Sequence, residues 1–162
     1  MSKQQTIKAS VSCSGIGLHT GVDSTITFKP ARENSGIKFI RTDVKGSQEI
    51  QADIDHVVDI SRGTTIAQNG TRIHTVEHVL AALVGLEIDN ILIELTNKEP
   101  PVMDGSSKDF VKVLQKAGIV EQSHDREYLE IDKAISYTDP VKRTDISVLP
   151  SDRYRLTCII DY

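Results

Sequence analysis

The sequence predicts an α+β protein, rich in strands, with two helices set among them. Three observations carry that reading. Short segments rich in Val, Ile and Thr, with polar and apolar residues alternating, recur along the chain, as half-buried strands require. Two longer stretches instead space their apolar residues by three and four, the period of an amphipathic helix. Glycines and other turn-forming residues punctuate the joins.

Taken in order, "QTIKASVSC" and "STITFKP" read as strands. The "SGIGLHTG" between them, with Gly15, Gly17 and Gly21, reads as a tight connection with room for unusual backbone angles. "GIKFIR" is a further strand, and "IDHVVDIS" and "TTIAQ" are short ones, the second followed by a "QNG" turn. In "VEHVLAALVG", Val76, Val79, Leu80, Leu83 and Val84 fall on one helical stripe, and Gly85 is the expected stop. "NILIEL" returns to strand. "PPVMDGSSKDFVKVLQKAG" reads as a turn and then a helix capped by Ser106 or Ser107, with Phe110, Val111, Leu114 and Ala117 inward and Gly118 ending it. The polar stretch 119–127 reads as a linker. The first domain is therefore placed at residues 1–122, and residues 123–162 complete the linker and begin a second unit. In that unit "YLEIDKAISYT", "TDISVLP" and "YRLTCIIDY" read as three strands with no helix. Such a sheet cannot bury its apolar face, so the second unit reads as incomplete and the chain as the front part of a longer protein.

Composition narrows the function classes. The chain has 162 residues, is 38% hydrophobic, and carries 19 basic against 23 acidic residues for a net charge of −4. It is long enough for one packed domain and part of another. With no basic run and few aromatics, no nucleic-acid surface is expected. No apolar stretch is long enough to span a membrane. "MSKQQTIKAS" has no secretory character. Cys13 and Cys158 lie apart in strand-like contexts, which fits buried thiols in a reducing, cytoplasmic setting better than a disulfide.

The chemistry-bearing stretch is "IHTVEHVL", residues 73–80. Read as H-x-x-E-H, it is the inverted zinc-protease signature, with His74 and His78 as ligands and Glu77 acting on the water. That reading needs both histidines inside the helix, where residues four apart share a face. Read as T-V-E-H, Thr75 is the N-cap, His74 lies outside, and Glu77 and His78 occupy the first turn. Local signals favour the second reading, because Ile73 and Arg72 end an extended segment and Val76 opens the apolar stripe. A metal ligand and a surface histidine both remain open for His78 at this level.

From "SGIGLHTG" through "GIKFIRTD", "TRIHTVEHVLAALVGLEIDNILIEL" and "EPPVMDGSSKDFV", the chain resembles the UDP-3-O-acyl-N-acetylglucosamine deacetylases, zinc amidases of lipid A synthesis. The resemblance runs from about residue 6 to the last residue. It implies two similar domains, each a two-layer sandwich of a mainly antiparallel sheet with helices on one face, and an active site between them. It implies that Glu77 is the general base and His78 one of three Zn²⁺ ligands. It places His19 near the active site as a substrate-binding candidate, and Ser61, Arg62 and Gly63 along the substrate region. Asp104, in a D-G-S turn, is expected to hold that turn. The implied substrate is UDP-3-O-acyl-N-acetylglucosamine, the implied partner is the second domain of the same chain, and a monomer is expected. The family's remaining zinc ligands, an H-x-x-x-D pair, and its acidic histidine are expected beyond residue 162. His19 and Asp23 do form H-x-x-x-D, but across a Gly-rich turn, and are not taken as that pair. A zinc protease and a non-catalytic binding domain stand as the alternatives.

Overall fold

The computed structural model describes residues 2–160. They form two compact units, Met1–Arg126 and Glu127–Tyr162.

In the first unit the alternating segments become strands. "QTIKASVSC" is two strands rather than one: β1 (Lys3–Ile7) and β2 (Val11–Ile16). β3 (Asp23–Pro30), β4 (Ile37–Arg41) and β5 (Ile50–Gln51) follow. Part of "IDHVVDIS" is a 3₁₀ turn, Ile54–His56, capped by the Asp53 carboxylate, which accepts the His56 N–H; only Val57–Asp59 is extended, as β6. β7 (Thr65–Gln68) and β8 (Thr71–Ile73) form a hairpin. Asn69 and Gly70 at its tip both take positive φ, the backbone that matches hairpin twist. Then come α1 (Glu77–Gly85), β9 (Ile91–Leu95), α2 (Lys108–Ala117) and β10 (Ile119–Asp125).

The main sheet has the order β2-β3-β9-β4-β5 and is antiparallel except between β4 and β9. Its period of two puts Ile26, Phe28, Phe39, Ile50, Ile91, Ile93 and Leu95 in one core with Val79, Ala82 and Leu83 of α1 and Phe110, Leu114 and Ala117 of α2. The opposite face is polar. There Ser12 meets Thr27 and Ser14 meets Thr25, each at 2.8 Å, and Lys29 bonds Glu94 at 2.6 Å. The result is the expected α+β two-layer sandwich, with α1 and α2 packed against each other on the apolar face. Phe110 meets Phe28 edge to face at 6.3 Å between ring centres, joining the two layers.

The linker placed at residues 119–127 is a strand. β10 pairs antiparallel with β1, with Ile7 opposite Ile119 and Lys3 opposite Asp125. Polar contacts secure it. Asn90, buried, donates to Gln4 of β1 and Gln122 of β10, both at 2.8 Å, and accepts the Gly36 N–H. Arg126 grips Asp89 with two N–H bonds of 2.8 and 2.9 Å, while Asp89 also accepts the Gln5 N–H. The first unit thus runs past residue 122, to Arg126.

Among the described residues the second unit contains one hairpin, β11 (Ile135–Asp139) with β12 (Thr144–Val148), Tyr137 facing Ile146 across it. The strands expected in "YLEID" and "YRLTCII" are not formed among the described residues, and the last two residues of that expected strand, Asp161 and Tyr162, lie outside them. A strand needs a neighbour to satisfy its backbone. The cysteines also differ from expectation: Cys158 is exposed, and Cys13 half-buried. Burial, and then the charge of Asp109, push the Cys13 thiol up to about 11.

Truncating Phe110 removes the inter-layer ring contact from a site that cannot refill it. Phe110→Ala is expected to destabilise the first unit by about 3–5 kcal/mol, read from the shift of its urea-unfolding midpoint.

Candidate functional site

The helix that carries Glu77 and His78 begins one turn after β8, and its start is set by an unusual backbone. Thr75 has φ +56, a left-handed angle that costs a β-branched residue about 1–3 kcal/mol. It is not the N-cap expected from the sequence. Its hydroxyl is turned away from the helix and donates to the Glu99 carboxylate at 2.8 Å. Val76 takes the cap position without a side-chain bond, and its carbonyl accepts the Leu80 N–H. Glu77 and His78 are then the first two helical residues. The capping preference of threonine yields here to a stronger acceptor elsewhere.

His74 lies outside α1, as the T-V-E-H reading requires. Its N–H donates to the Lys98 carbonyl at 2.8 Å, and its Nδ1 lies 3.0 Å from the Thr65 hydroxyl. Burial, then the Lys98 charge, hold the His74 imidazole below its ordinary value. The i,i+4 face that a two-histidine protease site needs is therefore absent.

Glu77 is half-buried and turned back toward the 61–64 loop, where its Oε2 accepts the Thr64 N–H at 2.9 Å. Gly63 makes room for it. At φ +152 no other residue fits comfortably, and a Cβ there would lie 3.0 Å from the Glu77 Oε1. His78, also half-buried, follows it on the helix. Neighbouring helical residues point about 100° apart, so the two side chains leave the helix start in different directions.

His19 comes to the same place from the Gly-rich connection. Its Nε2 lies 3.1 Å from the Arg62 carbonyl, which can only accept, so Nε2 carries the proton. His19, Arg62, Gly63, His74, Thr75 and Lys98 are among the residues around a cleft of about 240 Å³. The structure thus gathers His19 and the Ser61-Arg62-Gly63 stretch at one cleft, with Glu77 reaching Gly63 and Thr64 at its edge. Asp104 stays apart and holds its turn: its carboxylate accepts the Ser106 hydroxyl and N–H, which keep it below its ordinary value. The Ser106 hydroxyl in turn accepts the Lys108 N–H at the start of α2.

Sequence reasoning missed Glu99. It is 0% exposed, yet charged. Its two oxygens accept the His19 N–H, the Thr20 N–H at 2.9 Å and the Thr75 hydroxyl. Burial alone would raise its carboxyl; the bonds from Thr75, Thr20 and His19 outweigh that and hold it below the ordinary value of 4.5. A glutamate before two prolines carries no local sign of this role.

As for a metal, no three His, Cys, Asp or Glu side chains converge to hold one among the described residues. His78 offers a single imidazole. A catalytic zinc takes three protein ligands and an open position, so these residues alone do not fit it.

The Glu99 shift has a pH consequence. A carboxyl lowered on folding stabilises the fold fully above its unfolded value, and that contribution is lost as pH falls through the folded value. Glu99→Gln is expected to lower stability at neutral pH and to flatten its decline in acid, as measured by urea unfolding across the acid range.

Comparison with known proteins follows the same residues. The family described as LpxC, UDP-3-O-acyl N-acetylglycosamine deacetylase, matches residues 4–162. The bifunctional enzyme LpxC/FabZ of Chlorobaculum tepidum is 54% identical over 98% of this chain and 34% of its own length. A UDP-3-O-acyl-N-acetylglucosamine deacetylase of Myxococcus xanthus is 42% identical over 98% of this chain and 50% of its own. One from Hahella chejuensis is 40% identical over all of this chain and 53% of its own. The chain thus spans a third to about half the length of these relatives. A match of this extent, carried through both the T-V-E-H helix start and the M-D-G-S turn, makes the chain a member of the LpxC deacetylase family.

Proposed function

We propose that the complete protein is a zinc-dependent amide hydrolase that removes the N-acetyl group of UDP-3-O-acyl-N-acetylglucosamine, releasing acetate, in the cytoplasmic synthesis of lipid A. The single observation that supports this most is the adjacency of Glu77 and His78 on the first turn of α1, with Glu77 reaching the Gly63 stretch that borders the His19 cleft, in a chain that matches the family over residues 4–162. On this reading His78 is one of three zinc ligands, and the other two, with the general acid, belong to parts of the protein beyond residue 162. The second unit, with its exposed hairpin, is the opening of a second domain like the first. Zinc, when bound, supplies an acidified water and a polarised amide carbonyl.

The residues of this chain do the rest of what it contributes. Glu77 serves as general base for the attacking water. The Thr64 N–H fixes its Oε2. Gly63, lacking a side chain, leaves room at Oε1. His19 stands at the cleft as a substrate-binding group, oriented by the Arg62 carbonyl.

In the full-length protein, Glu77→Ala is expected to keep zinc content while lowering kcat by about two to four orders of magnitude, the range for a positioned general base. His78→Ala should lower both, and His74→Ala neither. Zinc analysis beside acetate release distinguishes them; loss of zinc in Glu77→Ala would make Glu77 a ligand and overturn the assignment.

Residues 1–162 alone are expected to show no turnover with added zinc, because three ligands are needed and one is present. Acetate release by the purified fragment at the full-length rate would refute this.

A further inference from the structure

We propose that Glu99 is a positioning residue for the reaction: it locks the start of α1 and the His19 loop into one rigid unit, so that Glu77, His78 and His19 keep their relative placement. This rests on the deacetylase reading above. The groups around Glu99 are all donors. The His19 N–H reaches its Oε1 and Oε2 at 3.2 and 3.0 Å, the Thr20 N–H reaches Oε2 at 2.9 Å, and the Thr75 hydroxyl reaches Oε1 at 2.8 Å. A carboxylate accepts only, so it alone among side chains of this shape satisfies every one of them. A glutamine that keeps its oxygen on the His19 and Thr20 N–H groups would turn its NH₂ to the Thr75 hydroxyl, reversing that bond and setting the NH₂ against the His19 N–H that Oε1 accepts at 3.2 Å.

What Glu99 holds is as telling as how. Thr75 sits at φ +56, two residues before Glu77 and three before His78. That angle sets the direction in which α1 leaves β8, and the hydroxyl bond to Glu99 opposes its relaxation. The neighbouring Lys98 carbonyl takes the His74 N–H, so residues 98 and 99 grip the connection at successive peptides. On the other side, Gly17 packs so close that a Cβ there would lie 2.6 Å from the Glu99 Oε2. The Gly-rich loop is therefore shaped to bring its backbone onto this carboxylate. With Glu99 fully buried, no solvent replaces a lost bond.

The test uses the full-length protein. Glu99→Gln is expected to lower kcat by about 10²-fold, the scale of a small misplacement of reacting groups, with KM little changed and zinc content full. Thr75→Val, which loses the hydroxyl, should behave alike, and Thr75→Ser, which keeps it, should retain most of the rate. The double variant Glu99→Gln/Thr75→Val should lose little more than either alone, because the two act as one unit. Amide hydrogen exchange at His19 and Thr20 should quicken in Glu99→Gln. Wild-type kcat in Glu99→Gln, or equal losses in Thr75→Ser and Thr75→Val, would overturn the proposal. If Glu99→Gln does not fold, the Thr75 pair decides. If the wild-type protein releases no acetate, the deacetylase reading fails, and the exchange rates still decide whether Glu99 locks the loop.

Discussion

The cleft depends on one carboxylate placed where water cannot reach it. Charged groups are seldom fully buried unless every lone pair finds a donor. Around Glu99 the chain supplies two backbone N–H groups and a hydroxyl. Those donors come from two separate segments, so satisfying the charge brings the Gly-rich connection and Thr75, two residues before α1, onto the stretch that follows β9. The positive φ of Thr75 and the bare Cα of Gly17 follow from that convergence. Removing the charge would free each of them to relax in its own direction.

The sheet and helices serve as a frame for this arrangement. The core of Phe28, Phe39, Ile93 and Phe110 fixes the layers, while the start of α1 carries Glu77 and His78 and the Gly-rich connection carries His19. Glu77 illustrates the division of labour. Its place on α1 comes from the apolar stripe of Val79, Ala82 and Leu83, whereas the direction of its carboxylate comes from the Thr64 N–H and the gap at Gly63. Packing sets position to within a turn of helix, and hydrogen bonds to loop backbone set orientation.

The sequence was legible where burial follows a period. β3, β4, β9 and α2 lie where alternation or helical spacing puts them, since their inward residues are apolar and regular. β10 has the sequence of a linker because its side chains are held by polar partners instead. Gln122 bonds Asn90 and the Ala31 carbonyl, and the Ser123 hydroxyl bonds Glu33, contacts that leave no hydrophobic trace. Residues 154–160 show the reverse error, a strand pattern with no strand among the described residues. At the site, the adjacency of Glu77 and His78 and the place of His74 outside the helix could be read locally. The capping role given to Thr75 could not hold, because the competing acceptor lies 24 residues away. Glu99 was out of reach for the same reason, its backbone donors being 79 and 80 residues distant.

The pairing of β1 with β10 has a further meaning for the order in which the first unit is made. β1 is made well before β10, yet Lys3 finds its partner only in Asp125. Until β10 is synthesised, the edge of β1 is unpaired, and its Gln4 lacks the carbonyl of Asp125 that its side chain bonds. Contacts this distant in sequence form late and slow the completion of a fold. The hairpins β2–β3 and β7–β8 can form as soon as they are made, but closure of the whole unit waits for β10. A nascent chain paused before residue 119 would expose that strand edge, and is the species a chaperone would hold.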